Sequence, residues 1–394
     1  MKFKIIKEDG KARTGIVTTK HGNFHTPSFT PVATLASVRA LDQEDLEKLD
    51  VEVILSNTYH LHLRPGDNII KKFKGLHNFM NWHKPIITDS GGFQAFSLGY
   101  GMEHGVGKIA NNIFPGKEEI EYKGEKWAKV TDKGVRFKNP LNGDKTELTP
   151  KISMEIQSNL GSDIIFAFDE CTSPLSDKKY TKKALERTHK WAVECLKYRN
   201  KEQALFGIVQ GGAFKDLRIK SSKFIGKLDF DGFGIGGSLG KTKQDMYKIL
   251  EWVIPLLPKN KPRHLLGIGG VDDILNSVEK GVDMFDCVTP TRWGRRGHLF
   301  ISPEEGGNME NKYKIIIKQN KYKDDKKSID KSCNCYVCKN YSRAYLRHLH
   351  MSREWTYYKL ASYHNEYFIL NLMKEIRKSI NNKTFKKLKK KWLK

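Results

Sequence analysis

Short apolar runs recur along the chain, and most of them end in a glycine or a polar residue. Several are apolar at every position, which is typical of strands buried on both faces of a parallel sheet. The first run ends near residues 31–34, and seven more lie at 51–56, 86–88, 164–168, 206–209, 232–235, 264–266 and 282–285. The pattern therefore predicts eight strands.

Helical patterns fill many of the gaps between these runs. The clearest covers residues 181–198, where Ala184, Leu185, Trp191 and Ala192 fall on one side at helical spacing. Residues 246–257 and 272–280 are predicted to be helices as well. Strands alternating with helices predict an α/β fold, the (β/α)8 TIM barrel, whose active site lies at the C-terminal ends of the strands. A doubly wound open sheet is the structural alternative.

Two regions interrupt the alternation. Residues 122–149 alternate between apolar and polar and contain turn signals, which predicts a hairpin-like insertion at about 99–149. A cysteine cluster lies in the second region, 299–364. We expect a barrel at 1–298, a zinc-binding subdomain inserted near the C-terminus at 299–364, and a C-terminal helix with a basic tail at 365–394. The tail could contact nucleic acid or be a solvated helix end.

The charge and composition of the chain limit the kinds of partner and compartment that we expect. The 394 residues carry a net charge of +25, which suggests a polyanionic partner, either nucleic acid or an anionic membrane surface. No apolar stretch reaches the roughly 18 residues of a transmembrane helix, and the first residues lack a signal-peptide core. We therefore expect a cytoplasmic protein. In such a reducing compartment, the bunching of three of the six cysteines suggests metal rather than disulfides.

One segment combines a candidate nucleophile with a candidate phosphate grip. Residues 281–297 read GVDMFDCVTPTRWGRRG, in which an apolar run ends in Asp286 and is followed by Arg292, Arg295 and Arg296. A carboxylate at a strand end can act as a nucleophile, and planar guanidinium groups suit phosphates. A solvated aspartate followed by a basic turn is the simpler interpretation of the same residues.

Other strand ends carry groups suited to a heterocyclic base. Asp89 opens the sequence DSGGFQ, whose glycines allow close approach of the backbone and whose Phe93 offers a flat face. Asp169 and Gln210 end apolar runs, and a carboxylate and an amide together can bind the edge of a purine. Gly237 adds a backbone donor. Satisfied core groups are the alternative at each position. Paired carboxylates also suit chemistry at a sugar anomeric carbon.

The cysteines at 333, 335 and 338 have the density of a thiolate metal site. Tetrahedral zinc needs one more ligand, and a site with four protein ligands would be structural. The downstream candidates are His348, His350 and His364.

Taken together and in order, these residues resemble the tRNA-guanine transglycosylases of the bacterial type, also called queuine tRNA-ribosyltransferases. The similarity covers most of the chain. It is carried by DSGGFQ, FDEC, GIVQGG, GIGG, LLGIGG, DMFDCVTPTRWGRRG, CNCYVC and SYHN. It implies exchange of the wobble guanine of tRNAs for Asp, Asn, His and Tyr, whose anticodon loops contain U-G-U, for a 7-deazaguanine base in queuosine biosynthesis.

The resemblance also assigns roles. It makes Asp286 the nucleophile at C1′ and Asp89 the general base, with a structural zinc held by Cys333, Cys335, Cys338 and His364, and a homodimer. The positions that match base recognition are Asp89, Ser90, Gly91, Gly92, Phe93, Asp169, Gln210 and Gly237. Those that match tRNA contact are Gly267, Ile268, Gly269, Gly270, Val271, Asp272, Asp273, Thr291, Arg292, Trp293, Gly294 and Arg295.

The base pocket departs from the common bacterial pattern. Phe93 replaces a tyrosine, Leu266 replaces a methionine, and residues 238–241 read SLGK in a shortened loop. The favoured incoming base is 7-aminomethyl-7-deazaguanine, and queuine is the alternative. Two other functions also compete: a non-catalytic tRNA-binding partner subunit, and a metal-dependent barrel hydrolase. The retained pair Asp89 and Asp286 favours the transglycosylase.

Overall fold

The computed structural model describes residues 1–93, 128–139 and 141–394, and it centres on a parallel sheet of nine segments. The strands are β1 (Lys2–Asp9), β2 (Ala12–Thr19), β3 (Gly22–Thr26), β4 (Ser28–Thr30), β5 (Val32–Ala33), β6 (Ile54–Ser56), β7 (Ile86–Thr88), β8 (Ala128–Val130), β9 (Val135–Lys138), β10 (Lys145–Leu148), β11 (Ile164–Phe166), β12 (Ala204–Val209), β13 (Gly232–Ile235), β14 (Arg263–Leu265), β15 (Met284–Asp286), β16 (His298–Phe300) and β17 (Lys314–Ile316).

The parallel sheet closes on itself. Its order is β4-β15-β14-β13-β12-β11-β7-β6-β5, and only Pro31 separates β4 from β5. Proline lacks the N–H that a sheet ladder needs, so it interrupts this strand without ending it. The nine segments therefore form eight strands, with β15 paired to β4 and β5 paired to β6. The predicted (β/α)8 barrel is confirmed, and the open sheet was the wrong alternative.

Helices surround the barrel and continue past it. They are α1 (Gln43–Lys48), α2 (Thr58–Leu63), α3 (Asp67–Lys72), α4 (Leu76–Phe79), α5 (Pro150–Leu160), α6 (Lys178–Tyr198), α7 (Lys215–Lys227), α8 (Lys243–Val253), α9 (Val271–Lys280), α10 (Thr289–Arg295), α11 (Tyr336–Asn340), α12 (Arg343–Met351), α13 (Trp355–Asn381) and α14 (Phe385–Trp392). The three helices predicted from spacing correspond to α6, α8 and α9. Side-chain caps such as Asp177 before α6 explain why α6 begins three residues earlier than the apolar pattern indicated.

Two apolar cores result from this arrangement. The smaller one fills the barrel and includes Leu55, Phe166, Phe206 and Met284, while the larger lies between strands and helices. In β13, inward positions are glycines because neighbouring rings occupy their space: a Cβ at Gly234 would lie 2.9 Å from the Phe166 ring. The inner core ends where the polar residues of the strand ends begin, so it forms the floor of the barrel mouth.

The other end of the barrel is covered by the antiparallel sheet β1-β2-β3. Arg13 of β2 reaches Asp283, donating from Nε at 2.8 Å and from Nη2 at 2.7 Å, and both side chains are buried. A bidentate geometry of this kind compensates the cost of burying the two charges. The N-terminal sheet is thereby tied to the residue that precedes β15.

The interrupting regions have their own structure where they are described. β8, β9 and β10 form an antiparallel sheet, with the turn at Asn142-Gly143-Asp144 between β9 and β10. The rest of the expected insertion, including residues 99–127, lies outside the described residues. After the barrel, β16 and β17 pair, and α11 to α14 follow. The expected division of the chain into domains stays a prediction. No described helix is long and apolar enough to cross a membrane.

Candidate active site

Asp286 is the last residue of β15 and points its carboxylate into the barrel mouth. Its Oδ1 accepts a hydrogen bond from the Gly267 N–H at 2.9 Å and lies 2.9 Å from His264 Nε2. The Asp286 side chain is 14% exposed, whereas His264 in the neighbouring strand β14 is fully buried. A carboxylate oriented by two donors and open to solvent on one side is suited to nucleophilic attack.

Asp89 follows β7, on the other side of the same mouth. Its Oδ1 accepts from the Thr58 N–H at 2.9 Å, and its Oδ2 accepts from the Asn57 side-chain amide. Asn57 also caps the start of α2 by accepting from the His60 N–H. The strand end at β6 and the first turn of α2 therefore fix the carboxylate of Asp89. Thr58 Oγ1 donates to the Asp89 carbonyl and holds its backbone as well.

The predicted base-recognition residues meet between β7, β11 and β12. Asp169 is buried, and it accepts from Ser90 Oγ at 3.0 Å and from Gln210 Nε2 at 2.6 Å. Phe93, half-buried, is the last described residue before the gap. A carboxylate and an amide that bind each other in this way present one continuous polar edge, with acceptor and donor groups side by side.

Two glycines allow the pocket walls to approach one another. A Cβ at Gly92 would lie 2.5 Å from the Asp169 carbonyl oxygen, and one at Gly237 would lie 1.9 Å from Gln210 Oε1. Gly237 also has a φ of +76°, which side-chain-bearing residues rarely adopt. Among the described residues Gln210 Oε1 has no hydrogen-bond partner although it is buried. Such an acceptor is a candidate contact for a ligand N–H group.

A buried arginine that the sequence patterns did not single out holds this pocket together. Arg218 of α7 is completely buried and donates to four carbonyl groups at 2.6–3.1 Å, which belong to Val209, Gly212, Gly236 and Ser238. Burial lowers the pKa of Arg218 to about 10, so it remains charged at neutral pH. The guanidinium thereby links the loops after β12 and β13, which contain Gln210 and Gly237.

The shortened loop at 238–241 is tightly packed. Leu239 is completely buried, and a Cβ at Gly240 would lie 2.3 Å from Cβ of Asp245. Asp245 accepts from the N–H groups of Lys241 and Thr242 at 3.0 Å each, in the capping box of α8. The space that Gly240 leaves is therefore filled by the helix cap.

Arginines gather where α10 follows Asp286. Burial, together with the neighbouring charges of Arg39, Arg292 and Arg296, lowers the pKa of Arg295. In the described part of the chain, no carboxylate forms an ion pair with any of these four. Arg39 comes from the loop after β5, too far along the chain for spacing to have revealed it. Four mutually repelling cations without acidic partners are typical of a surface that binds a polyanion.

The other predicted tRNA-contact residues are partly engaged within the protein. Asp272 and Asp273 both pair with Lys243, at 2.6 and 3.0 Å, and Asp273 also accepts from the Tyr247 hydroxyl. Burial, with the nearby charge of Asp272, raises the pKa of Asp273 to about 6. These contacts fix the start of α9 and with it the loop 267–270, whose Gly267 N–H holds Asp286.

In α10, Trp293 and Gly294 face inward. Lys314 Nζ lies 4.0 Å from the centre of the Trp293 ring, a cation–π contact. Gly294 lies against the backbone of Ala361 in α13, where a Cβ would come within 2.9 Å, and its carbonyl accepts from the Tyr357 hydroxyl at 3.0 Å. Thr291 is buried as well. The inward face of α10 anchors the helix, while Arg292 and Arg295 are half-buried and Arg296, just after the helix, is exposed.

Cys333, Cys335, Cys338 and His364 converge as expected for a metal site. His364 Nδ1 lies 3.9, 3.4 and 3.4 Å from the three sulfurs. Zn–S and Zn–N distances of about 2.3 and 2.0–2.1 Å place sulfur and nitrogen roughly 3.5 Å apart in a tetrahedron. His364 Nε2 lies 2.7 Å from the Phe300 carbonyl, so Nε2–H donates and Nδ1 presents its lone pair to the metal. The donor set therefore fits zinc.

A second group, His21, His77 and Asp163, lies at the opposite end of the barrel from the mouth. The two imidazoles are stacked, with centroids 3.6 Å apart and planes inclined by 23°. His21 Nδ1 and His77 Nε2 lie 2.8 and 3.2 Å from the Asp163 carboxylate, which pairs with both rings. Neither metal-type group of the described residues lies at the barrel mouth, where the alternative hydrolase would need one.

Fold and site together define a (β/α)8-barrel enzyme with two carboxylates and a polar base-sized cleft at its mouth. The sequence profile of the queuine tRNA-ribosyltransferases matches residues 8–394. A provisionally named queuine tRNA-ribosyltransferase of Archaeoglobus fulgidus is 62% identical, with 100% of this chain and 99% of the relative aligned. Queuine tRNA-ribosyltransferases of Fusobacterium nucleatum and Bacillus subtilis are 44% and 46% identical, over 99% and 96% of this chain and 97% and 92% of their own lengths.

The chain therefore belongs to the queuine tRNA-ribosyltransferase family, a class of pentosyl-transferring glycosyltransferases. The resemblance inferred from the motifs is confirmed at the level of the family and of the enzyme class.

Proposed function

We propose that this enzyme exchanges the wobble guanine of tRNAs with a U-G-U anticodon loop, those for Asp, Asn, His and Tyr, for a 7-deazaguanine base. The observation that carries the proposal is the placement of Asp286 and Asp89 at two sides of one barrel mouth, with Asp286 followed directly by the arginines of α10. That placement suits a double displacement at a ribose whose phosphates are held beside it.

In the proposed first step, Asp286 attacks C1′ while the bond from C1′ to N9 of guanine breaks. The electron pair leaves with the base, and a ribosyl-aspartyl ester forms. In the second step, N9 of the incoming base attacks C1′, its proton passes to Asp89, and the carboxylate of Asp286 is released. Two displacements retain the configuration at C1′. The covalent ester keeps the ribose from reacting with water between the steps.

Base recognition is assigned to the buried polar edge beside Asp89. Asp169 would accept from the ring N–H and amino group of a guanine-like base, and Gln210 and the Gly237 N–H would complete the edge. Ser90, Gly91 and Gly92 form the wall next to it, and Phe93 would stack on the ring. The support is the close approach of Asp169, Gln210 and the glycines in one cleft.

The tRNA would lie over the arginines of α10 and the loop that starts α9. Arg292 and Arg295, with Arg39 and Arg296 beside them, would hold phosphates of the anticodon loop. The segment from Gly267 to Asp273 would approach the same anticodon loop. Asp272 and Asp273 would fix the conformation of this segment rather than bind phosphate. We also expect a homodimer in the cytoplasm, because one barrel covers only part of a tRNA.

The four-ligand site near the C-terminus is proposed to hold one structural zinc per subunit. Cys333, Cys335, Cys338 and His364 would occupy all four positions, so the metal would stabilise the fold and leave no open position for substrate.

The proposed incoming base is 7-aminomethyl-7-deazaguanine. Leu239 is buried, and the space at Gly240 is filled by Asp245, which supports a small 7-substituent over the cyclopentenediol of queuine. Queuine remains the alternative, because residues 238–241 depart from the common bacterial loop. A non-catalytic tRNA-binding subunit is the second alternative, and the presence of both aspartates at the mouth argues against it.

An exchange assay tests the proposal. tRNA for Tyr carrying labelled guanine at the wobble position should release the label when either 7-aminomethyl-7-deazaguanine or queuine is added. A tRNA with another wobble base should not react. In direct competition, kcat/KM should favour the aminomethyl base. Failure of the wild-type enzyme to release label would contradict the transglycosylase assignment. A preference for queuine would instead identify 238–241 as a specificity change.

A further inference from the structure

We propose that His264 is a positioning residue for Asp286, which orients the carboxylate for attack and stabilises it as the leaving group when the ester is resolved. This inference rests on the proposed role of Asp286 as nucleophile. It concerns a residue that no part of the assigned site includes, and it starts from a direct contact of 2.9 Å between His264 Nε2 and Asp286 Oδ1.

The surroundings of the ring fix the direction of this hydrogen bond. His264 is fully buried in the inner face of the barrel, and its ring meets Phe166 edge to face, with centroids 5.5 Å apart. Its Nδ1 is buried and has no hydrogen-bond partner among the described residues. A proton on Nδ1 would therefore be a buried unpaired donor, which is costly. The arrangement favours the tautomer with the proton on Nε2, which donates to Asp286.

The packing around His264 leaves its ring a single polar contact among the described side chains, which is the one to Asp286. Gly234, its neighbour in β13, has no side chain because the Phe166 ring fills that space, and Met284 pairs with His264 from β15. The ring is thus enclosed by apolar groups and the backbone, and its polar edge reaches only Asp286 among the titratable side chains described. A ring held this firmly confines the Asp286 carboxylate, together with the Gly267 N–H.

The charge on Asp286 changes during the proposed reaction, and the strength of its hydrogen bond from His264 changes with it. The carboxylate is anionic before attack, neutral as the ester, and anionic again when the bond from C1′ to the aspartyl oxygen breaks and its electron pair returns. A donor binds an anionic acceptor about twice as strongly as a neutral one. His264 therefore favours ester breakdown over ester formation. No proton moves to or from His264, since the N9 proton passes to Asp89.

Two variants separate positioning from packing. His264→Phe keeps a planar ring against Phe166 and removes the donor, and His264→Gln retains an N–H group of comparable reach. Adduct formation and adduct discharge by an added deazaguanine base would be measured separately in single turnovers on denaturing gels. We expect His264→Phe to slow discharge about 10- to 100-fold, with a smaller effect on formation and an unchanged Kd for tRNA. His264→Gln should recover most of the loss.

The outcomes discriminate between the two proposals. A wild-type enzyme that forms no adduct would contradict the role of Asp286 itself. An adduct in the wild type with discharge unaffected in His264→Phe would overturn the role of His264 alone. Equal losses in both variants would assign the effect to packing and also overturn it. Should His264→Phe not fold, judged by thermal unfolding, His264→Asn, whose amide is too short to reach Asp286, takes its place in the same comparison with His264→Gln.

Discussion

Asp286 and Asp89 are the same residue type in two different settings, and the settings match their proposed tasks. Asp286 is held through Oδ1 by His264 and the Gly267 N–H, at the end of a strand. Asp89 is held through both oxygens, by Asn57 and the Thr58 N–H, beside the base cleft. A nucleophile needs a defined direction of attack, and a general base needs to lie near the departing proton.

Replacing Asp286 by Asn tests the residue-scale chemistry. Asp286→Asn should abolish guanine exchange and the covalent adduct, because an amide is too poor a nucleophile, and it should leave tRNA affinity within about twofold because the arginines remain. The measurements are label release, adduct on denaturing gels and tRNA binding by filter retention. An adduct of normal yield in Asp286→Asn would show that another residue attacks C1′.

A functional residue could be predicted from the sequence where a polar side chain stands at the end of an apolar run. Asp286, Asp169 and Gln210 end apolar runs, so their polarity is conspicuous. Arg218 and His264 were missed because an arginine inside a helix and a histidine at the start of a predicted apolar run look like surface residues until the packing around them is known. Nothing in the sequence indicates that Arg218 has four carbonyl partners and no carboxylate partner among the described residues.

At the scale of elements, α10 joins a buried anchor to a charged surface. Gly294 allows its backbone to touch Ala361 of α13, and Asn365 Nδ2 of α13 donates to the Pro290 carbonyl at 2.9 Å. The half-buried Arg292 and Arg295, and the exposed Arg296 that follows the helix, are therefore held on a fixed backbone. Rigid presentation lowers the ordering cost of binding a phosphate backbone.

Replacing two of these arginines tests the interface. Arg292→Ala combined with Arg295→Ala should weaken tRNA binding by roughly one to two orders of magnitude at low salt. The slope of log K against log salt should also become shallower by about two phosphate contacts. The same measurement on Lys386→Ala with Lys387→Ala, two exposed lysines of α14, is the charge-matched control.

The control also decides the role of the basic tail. Unchanged binding in the lysine pair would assign the tail to a solvated helix end. Equal losses in both pairs would mean that affinity reflects net charge, and the assignment of α10 as the specific grip would be wrong.

The eight barrel strands and the helices α6, α8 and α9 could be predicted, because these strands are short apolar runs and these helices have a one-sided apolar pattern. The N-terminal sheet of β1 to β3 and the short helices α1 to α4 were not predicted. Less could be predicted about the boundaries of the elements. The break at Pro31 makes two segments of one strand, and a cap such as Asp177 starts α6 before its apolar pattern begins. The hairpin turns of β8 to β10 were visible as local signals, but the function of that sheet was not.

At the scale of the whole molecule, the cysteine cluster lies where the long helix α13 meets β16, the first strand after the barrel. His364 lies on α13, and its Nε2 donates to the Phe300 carbonyl of β16. Hydrogen bonds shared among the three thiols lower the pKa of Cys335 and raise the pKa of Cys338, so Cys335 is the thiol most ready to ionise. Sequence spacing left three histidines as candidates; the structure brings His364 to the cluster because α13 folds back over it.

Removing one ligand tests the metal. Cys335→Ala should lose the single bound zinc and lower the unfolding temperature by several degrees or more, since binding free energy of a structural metal is folding free energy. Zinc content by elemental analysis and thermal unfolding are the measurements. Cys195→Ala, which removes a buried thiol of α6 away from the cluster, is the control and should keep its zinc. Wild-type protein that is folded and active without metal would contradict a structural zinc.

The 27-residue helix α13 contacts α10, β16 and the residue before β4 at different points along its length. Asn365 bonds to the backbone of Pro290, His298 and Phe300, next to the proposed zinc ligand His364. Further along, Arg377 Nη1 donates to the Pro27 carbonyl at 2.8 Å, beside the strand that closes the barrel.

A helix rises about 1.5 Å and turns about 100° with each residue. Inserting or deleting one residue between positions 365 and 377 would therefore rotate one set of contacts away while the other stayed in place. We expect related sequences to differ in length in the loops and in the region around 99–149, and to keep the spacing between these two positions constant.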